Sequence, residues 1–229
     1  MAGRDLAELV QTIIVAPASH EETVWCAAAA AGDALLTLPG PWEEWLSGPS
    51  TKTVRRVKTA EQLDKAVAVM AAAGHPAATV ACGGAVAAGF APILAGDVPK
   101  RIARLQVSGL DVPPDPDRQS VTGEGDVAVV LVVNPAAAMT TGKTAAQAAH
   151  ALVGWLTGPA TPAQRAAHAA SLATFELRTL ASPAMFDRLA LRSKVTIRDA
   201  GRTEIQPGTR TICVVTQPED AAFEAGVRR

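Results

Sequence analysis

The chain has 229 residues, a formal net charge of −1, 48% apolar residues and 19% charged residues. That length gives one large domain or two small ones, and the apolar content excludes a disordered chain. The near-neutral balance excludes a general, strongly basic nucleic-acid binder, so any RNA contact must rest on a local patch. The charge is uneven: residues 1–120 carry 10 Lys and Arg against 13 Asp and Glu, and residues 121–229 carry 11 against 9. The apolar content is mostly Ala and Val, with 3% aromatics and no Tyr. Packing is therefore expected to depend on small side chains and close helix approaches.

In chain order, Met1–Glu8 carries Arg4, Asp5 and Glu8 and no apolar core, so no signal peptide is expected and the protein is expected in the cytoplasm. Gln11–Val15 is a short buried strand. His20–Leu38 follows as a helix, with Ser19 as its cap and Glu21 and Glu22 in the first turn. Pro39-Gly40-Pro41 stops it, and Trp42–Leu46 is a short helical piece. Lys52–Lys58 (KTVRRVK) is a basic strand, and Ala60–Ala73 a helix capped by Thr59 and closed at Gly74. Ala77–Cys82 is a strand, Gly83–Gly89 a glycine-rich turn, and Arg101–Val107 the expected last strand of this half. The uncharged stretch Ala66–Gly96 is broken by Gly74-His75-Pro76 and Gly83-Gly84, which argues against a membrane span. Cys26, Cys82 and Cys213 show neither CxxC nor metal-ligand spacing and read as reduced thiols.

Gly109–Ser120 (GLDVPPDPDRQS) has the composition of a linker. After it the order recurs. Val127–Val133 is an unbroken β-branched run, the pattern of a strand buried on both faces. Asn134–Gly142 is a loop, and Lys143–Trp155 a helix that places Lys143, Gln147 and His150 on one face. Thr161–Ala170 is a second helix, Phe175–Leu180 a strand and Ser182–Leu191 a short helix. Val195–Arg198 is a strand, Asp199–Gly208 a loop and Thr211–Thr216 a final strand. Glu219–Arg229 is a tail. The expected fold is two tandem three-layer α/β units, each a small mixed sheet with helices on both faces. Their expected bounds are residues 1–108 and 121–229, joined by residues 109–120 and related by duplication.

Two stretches carry chemistry. Gly142-Lys143-Thr144 delivers a lysine and, by expectation, free backbone N–H groups to a helix start, a geometry that suits an anion. It resembles the end of a nucleotide-binding P-loop, but the first glycine of that motif is Ala137 here and no strand ends in a Walker-B Asp. The second stretch, Arg198–Thr209 (RDAGRTEIQPGT), follows a strand with two Arg, two Thr, an Asp and a Glu. A polar hairpin held by an Arg–Asp pair is the plain structural alternative for it.

Together, TGKTAAQAAHA after a Val-rich strand and IRDAGRTEIQPGT near the C-terminus resemble the type 2 (archaeal and eukaryotic) peptidyl-tRNA hydrolases. The family pattern is MGKGKxAAQxxHA followed by [IV]RDAGRTQIxPGT. Met139, Gly142, Lys143, Ala145, Ala146, Gln147, His150 and Ala151 match the first motif. Arg198–Thr203, Ile205, Pro207, Gly208 and Thr209 match the second. The resemblance implies metal- and cofactor-independent hydrolysis of the ester between a peptide and the 3′ end of tRNA. It implies Lys143, Asp199 and Thr203 as catalytic residues, with Thr209, Gln147, His150 and Arg202 binding substrate. This sequence departs from the pattern at Thr140 and Thr141, the latter replacing a lysine, and its strand before the last helix is nearly uncharged. Fewer phosphate contacts imply weaker tRNA binding. The alternative is a non-catalytic tRNA- or protein-binding member of the same fold. Residues 10–108 resemble a degenerate copy without the motif residues. The two halves are expected to pack as an internal pseudo-dimer, leaving the chain monomeric, with Arg55, Arg56 and Lys58 as candidate extra RNA contacts.

Overall fold

The computed structural model describes residues 8–115, 117–123, 126–171, 174–180, 182–201 and 205–216. The elements in order are β1 (Leu9–Ala16), α1 (His20–Thr37), α2 (Trp42–Ser47), β2 (Lys52–Arg56), α3 (Ala60–Ala72), β3 (Ala77–Cys82), β4 (Ala85–Phe90), β5 (Ile93–Leu94) and α4 (Lys100–Ala103). The second half holds β6 (Ser120–Thr122), β7 (Val129–Val133), a 3₁₀ turn at Pro135–Ala137, α5 (Thr141–Thr157), α6 (Pro162–Ser171), β8 (Phe175–Thr179), α7 (Pro183–Arg192), β9 (Val195–Arg198) and β10 (Arg210–Thr216).

They form two mixed sheets, β2-β1-β4-β3 with β5 beside β1, and β6-β8-β7-β10-β9. The central four strands of each follow one scheme. The first strand pairs parallel with the strand after its helix and antiparallel with the last strand, which pairs antiparallel with the one before it. So β1, β2, β3 and β4 hold the places of β7, β8, β9 and β10.

Helices α1 and α5 lie side by side between the sheets with their N-termini at the same end. His20 touches Thr141 there, while Gly32 faces Leu152 and Leu156 further along. Strands β3 and β4 lie on α1 and β2 on α5. From the other side, β6 and β8 lie on α1, and β9 and β10 on α5. The outer faces are covered by α3 and α4 over Ile14, Ala88 and Phe90, and by α7 over Val130, Val132 and Cys213. The molecule is layered α/β/α/β/α, with its largest core in the middle. This is the expected α/β fold in two units.

The small residues are what allow a central layer buried on every side. Ala27–Ala31 of α1 are fully buried. A Cβ on Gly89 of β4 would lie 2.1 Å from the Ala30 carbonyl oxygen, so strand and helix touch backbone to backbone. This contact explains a difference from the sequence reading. Ala85–Phe90 is a strand rather than part of a glycine-rich turn, which shrinks to Gly83-Gly84. The expected last strand over Arg101–Val107 is instead the short α4 and a loop, whose main chain meets β2 at a bridge between Arg56 and Gln106. Ala and Gly have poor strand propensity in isolation, and tertiary packing overrides it. Helix α5 starts two residues earlier than expected because Thr140 caps it, its hydroxyl accepting from the Lys143 N–H at 3.3 Å. The expected tail at Glu219–Arg229 lies outside the described residues.

Cys26 and Cys213 are buried and Cys82 half-buried, and none is in a disulfide. Among the described residues no helix is long and apolar enough to cross a membrane.

His168 of α6 is fully buried, its Nδ1 2.7 Å from Thr174 Oγ1, and its Nε2 has no partner among the described residues. Burial pushes its pKa down from 6.5 to about 4. The folded state thus binds this proton less readily than the unfolded chain. The stabilisation is complete above pH 6.5 and is lost as pH falls from 6.5 towards 4. The expected loss from this residue is about 3 kcal/mol across that window. Urea unfolding of wild type and His168→Gln at both ends of the window checks this. The variant should lack that share of acid sensitivity, and equal pH dependence in the two proteins would refute it.

Candidate active site

The C-terminal ends of β7 and β9 and the start of α5 meet at one corner. Asp199 follows β9 and is 5% exposed. Its loop is held by main-chain bonds in both directions: Asp199 N–H donates to Thr209 O at 2.9 Å, and Gly208 N–H donates to Asp199 O at 2.7 Å. Gly201 and Gly208 have φ of +73° and +81°. At Gly201 a Cβ would fall 2.2 Å from Pro207 Cγ, so this turn requires glycine.

The Asp199 carboxylate is the centre of the corner. Its Oδ2 accepts an ion-paired hydrogen bond from Lys143 Nζ and one from Gln147 Nε2 at 3.0 Å. Its Oδ1 accepts from Gly201 N–H at 2.7 Å. Gln147 is oriented in turn. Thr211 Oγ1 lies 2.8 Å from Gln147 Oε1 and 3.2 Å from the Ile197 carbonyl oxygen. With its single proton on the nearer acceptor, the hydroxyl fixes the amide so that its nitrogen faces Asp199. A lysine in the first turn is unfavourable beside the helix dipole, and the carboxylate opposite offsets this.

Lys143 and Gln147 therefore both meet Asp199. Thr209 enters through its main-chain oxygen. Arg202 and Thr203 lie outside the described residues. His150 is bonded elsewhere: its Nδ1 is 3.1 Å from Lys52 Nζ, contributed by the N-terminal unit. The Lys52 ammonium also sits 4.1 Å above the Trp45 ring. Burial holds His150 well below its usual pKa, and the nearby charges of Lys52 and Lys143 add to the effect. Burial likewise lowers Lys52 well below the usual lysine value. Burial thus disfavours the charged form of both partners in this contact. Sequence reasoning missed Lys52 and Thr211. Both are polar residues in otherwise strand-like runs, and that was their only signal.

The expectation of free N–H groups at the helix start needs correction. The segment after α4 crosses this end of α5. Leu110 is buried, and its carbonyl oxygen accepts from Gly142 N–H at 2.9 Å. Val112 exchanges two bonds with Thr141, its N–H donating to Oγ1 at 2.9 Å and its oxygen accepting from that hydroxyl at 3.0 Å. Thr141 is fully buried, with His20 Nδ1 3.0 Å from its hydroxyl. A lysine at position 141 would have to bury its ammonium among these groups, which gives the departure from the motif a physical reason.

The matching corner of the N-terminal unit has inverted charge. Glu22 is the third residue of α1, as Lys143 is of α5, and its N–H is capped by Ser19 Oγ at 3.2 Å. Its carboxylate accepts from Arg118 at 2.7 Å and from Gly84 N–H at 3.4 Å. The Arg118 guanidinium holds the Glu22 carboxyl below the usual range. Cys26 stands where Gln147 does, one turn further along. This corner has neither the lysine nor the aspartate.

Among the described residues no group of three or more His, Cys, Asp or Glu is placed to hold a metal ion. A cavity of about 150 Å³ lies at the opposite end of α5, lined by Trp155, Leu189, Lys194, Val195 and Val214, away from the carboxylate corner.

Residues 127–223 match the model of the family described as Peptidyl-tRNA hydrolase PTH2. The match begins just before β7 and takes in α5, β9, β10 and both motif stretches, so the C-terminal unit is similar to that family. No curated protein matches the chain.

Proposed function

We propose that this protein hydrolyses the ester joining a peptide to the 3′ end of tRNA, acting in the cytoplasm through the corner formed by Lys143, Gln147 and Asp199. The observation that carries the reading is the convergence of Lys143 and Gln147, from one motif, on Asp199, from the other. Ester hydrolysis needs an oriented water, a base for its proton and a charge for the developing oxyanion. Asp199 accepts one bond at Oδ1, leaving a lone pair there to take a proton from water. Lys143 places its positive charge beside that position, to stabilise the oxyanion or hold the terminal phosphate. Gln147, fixed by Thr211, keeps the carboxylate in place. Thr203 and Arg202 are assigned to the site by similarity alone. The chemistry needs no metal and no cofactor.

We further propose that residues 1–108 are a duplicated, degenerate copy joined by residues 109–120 to the unit at 121–229, and that the chain is a monomer with an internal pseudo-dimer interface. The shared strand scheme and the paired central helices support this.

One observation favours the non-catalytic reading. The ion pair is nearly closed to solvent, with the two side chains 12% and 3% exposed, and the Gly142 N–H is already occupied. The deciding experiment is release of N-blocked amino acid from N-acetyl-aminoacyl-tRNA by purified protein. Turnover supports the hydrolase, and tRNA binding without turnover selects the binding protein.

A further inference from the structure

We infer that the N-terminal unit supplies the main RNA-backbone contact surface, along the basic end of edge strand β2 and the neighbouring α4, through Arg56, Lys58, Arg101 and Arg104. The inference rests on the reading that the partner is a tRNA and names where its phosphates lie.

The charge is concentrated there. Segments 52–65 and 97–106 hold eight Lys and Arg against three Asp and Glu, so the remaining chain holds 13 against 19. A near-neutral protein thus carries a local formal surplus of five positive charges, buried Arg55 and half-buried Lys52 included, on a background of six negative ones. Lys58, Arg101 and Arg104 are exposed.

The fold gathers these residues. Arg56 N–H donates to Gln106 O at 2.8 Å, tying the segment after α4 to the end of β2. The buried Arg55 guanidinium donates to Ala103 O and Leu105 O at 3.0 and 3.3 Å, fixing the same segment from beneath. Arg101 and Lys65 line one cavity between α3 and α4.

The surface also lies at the correct end. Strand β2 is parallel to β1, whose C-terminal end leads into α1, and α1 is parallel to α5. Strand β2 therefore runs against α5, from Lys52 beside His150 towards the start of α5, where Lys143 and Asp199 meet. Strands β2 and β9, the edges of the two sheets, both lie on α5. The place corresponding to β2 in the C-terminal unit is β8, whose one cation, Arg178, is paired with Glu176 at 2.6 Å. A polyanion reaching the carboxylate corner, where Lys143 and exposed Arg198 belong to the C-terminal unit, meets this further cluster of positive charges on the N-terminal side.

The test is binding of fluorescent uncharged tRNA, by anisotropy across a salt series, to three full-length proteins. These are wild type, Arg101→Glu/Arg104→Glu, and the control Arg192→Glu/Lys194→Glu at the far end of α5. The first double variant should bind about tenfold more weakly or worse, with a log Kd against log salt slope shallower by about 2. The control should stay within about twofold, since its charges lie beyond the screening length of this surface. All four residues are exposed, so unchanged melting curves are expected and exclude misfolding. Equal losses in both variants, no loss in the first, or no tRNA binding by wild type each overturn the inference. If the binding pattern holds but wild type hydrolyses nothing, the hydrolase reading fails while this surface stands.

Discussion

Replacing Asp199 with Asn is expected to lower kcat for peptidyl-tRNA hydrolysis by about 10²- to 10⁴-fold, the usual contribution of a positioned acid–base group. Asn matches the shape of Asp and keeps an oxygen for the Gly201 N–H. It places an amide NH₂ where Lys143 and Gln147 both donate. Relief would require Gln147 to turn over, and Thr211 opposes that turn by donating to Gln147 Oε1. The lysine also loses its counter-ion in a nearly closed position, at a stability cost of about 3 kcal/mol. Steady-state kinetics with circular dichroism on the same samples separates the two effects. A folded Asn variant with wild-type kcat would remove Asp199 from the chemistry.

Trp25→Ala is expected to destabilise the whole molecule by about 3–5 kcal/mol, the range for removing a large buried aromatic. Trp25 belongs to α1 of the N-terminal unit, yet it stacks on Phe175 of β8 at 4.9 Å between ring centroids and 8° between planes. Its indole N–H donates to the Phe175 carbonyl oxygen at 3.2 Å. The residue is 3% exposed, so the substitution opens a cavity between the units rather than within one. Because α1 and α5 form one central layer, wild type and variant should each unfold in a single cooperative transition. Chemical denaturation followed by fluorescence and far-ultraviolet circular dichroism checks this. Two separated transitions in wild type would contradict a shared core.

The elements easiest to anticipate were those whose local and global preferences agree. Val127–Val133 reads as a buried strand, and Val129–Val133 is one, wholly buried in the second sheet, with Val127 and Ala128 half-buried before it. Ser19, Thr59 and Ser182 announce helix starts and accept the expected N–H bonds. The two motif stretches were legible as sequence, and Lys143, Gln147 and Asp199 do converge. What failed to show was decided by distant residues. Strand β4 (AVAAGF) has Ala and Gly at four of its six positions, which weakens its strand signal, and its Gly89 is what lets α1 approach backbone to backbone. The occupied helix start depends on Leu110 and Val112, in a segment whose Pro and Asp content reads only as connection. Lys52 meets His150 across 98 positions, beyond any local pattern.

The segment between the units does more than span a gap. It gives a carbonyl oxygen to the start of α5 and, a few residues on, a guanidinium to the start of α1. A single covalent path crosses between two similarly built corners once, in one direction, and so meets them with opposite chemistry. Two separate copies of one unit, related by true symmetry, would have to present identical corners. Joined in one chain, each corner has its own neighbour, and a substitution at one is no longer imposed on the other. In this molecule the connecting segment, which meets each helix start with a different group, makes the two corners at one end of its central layer inequivalent.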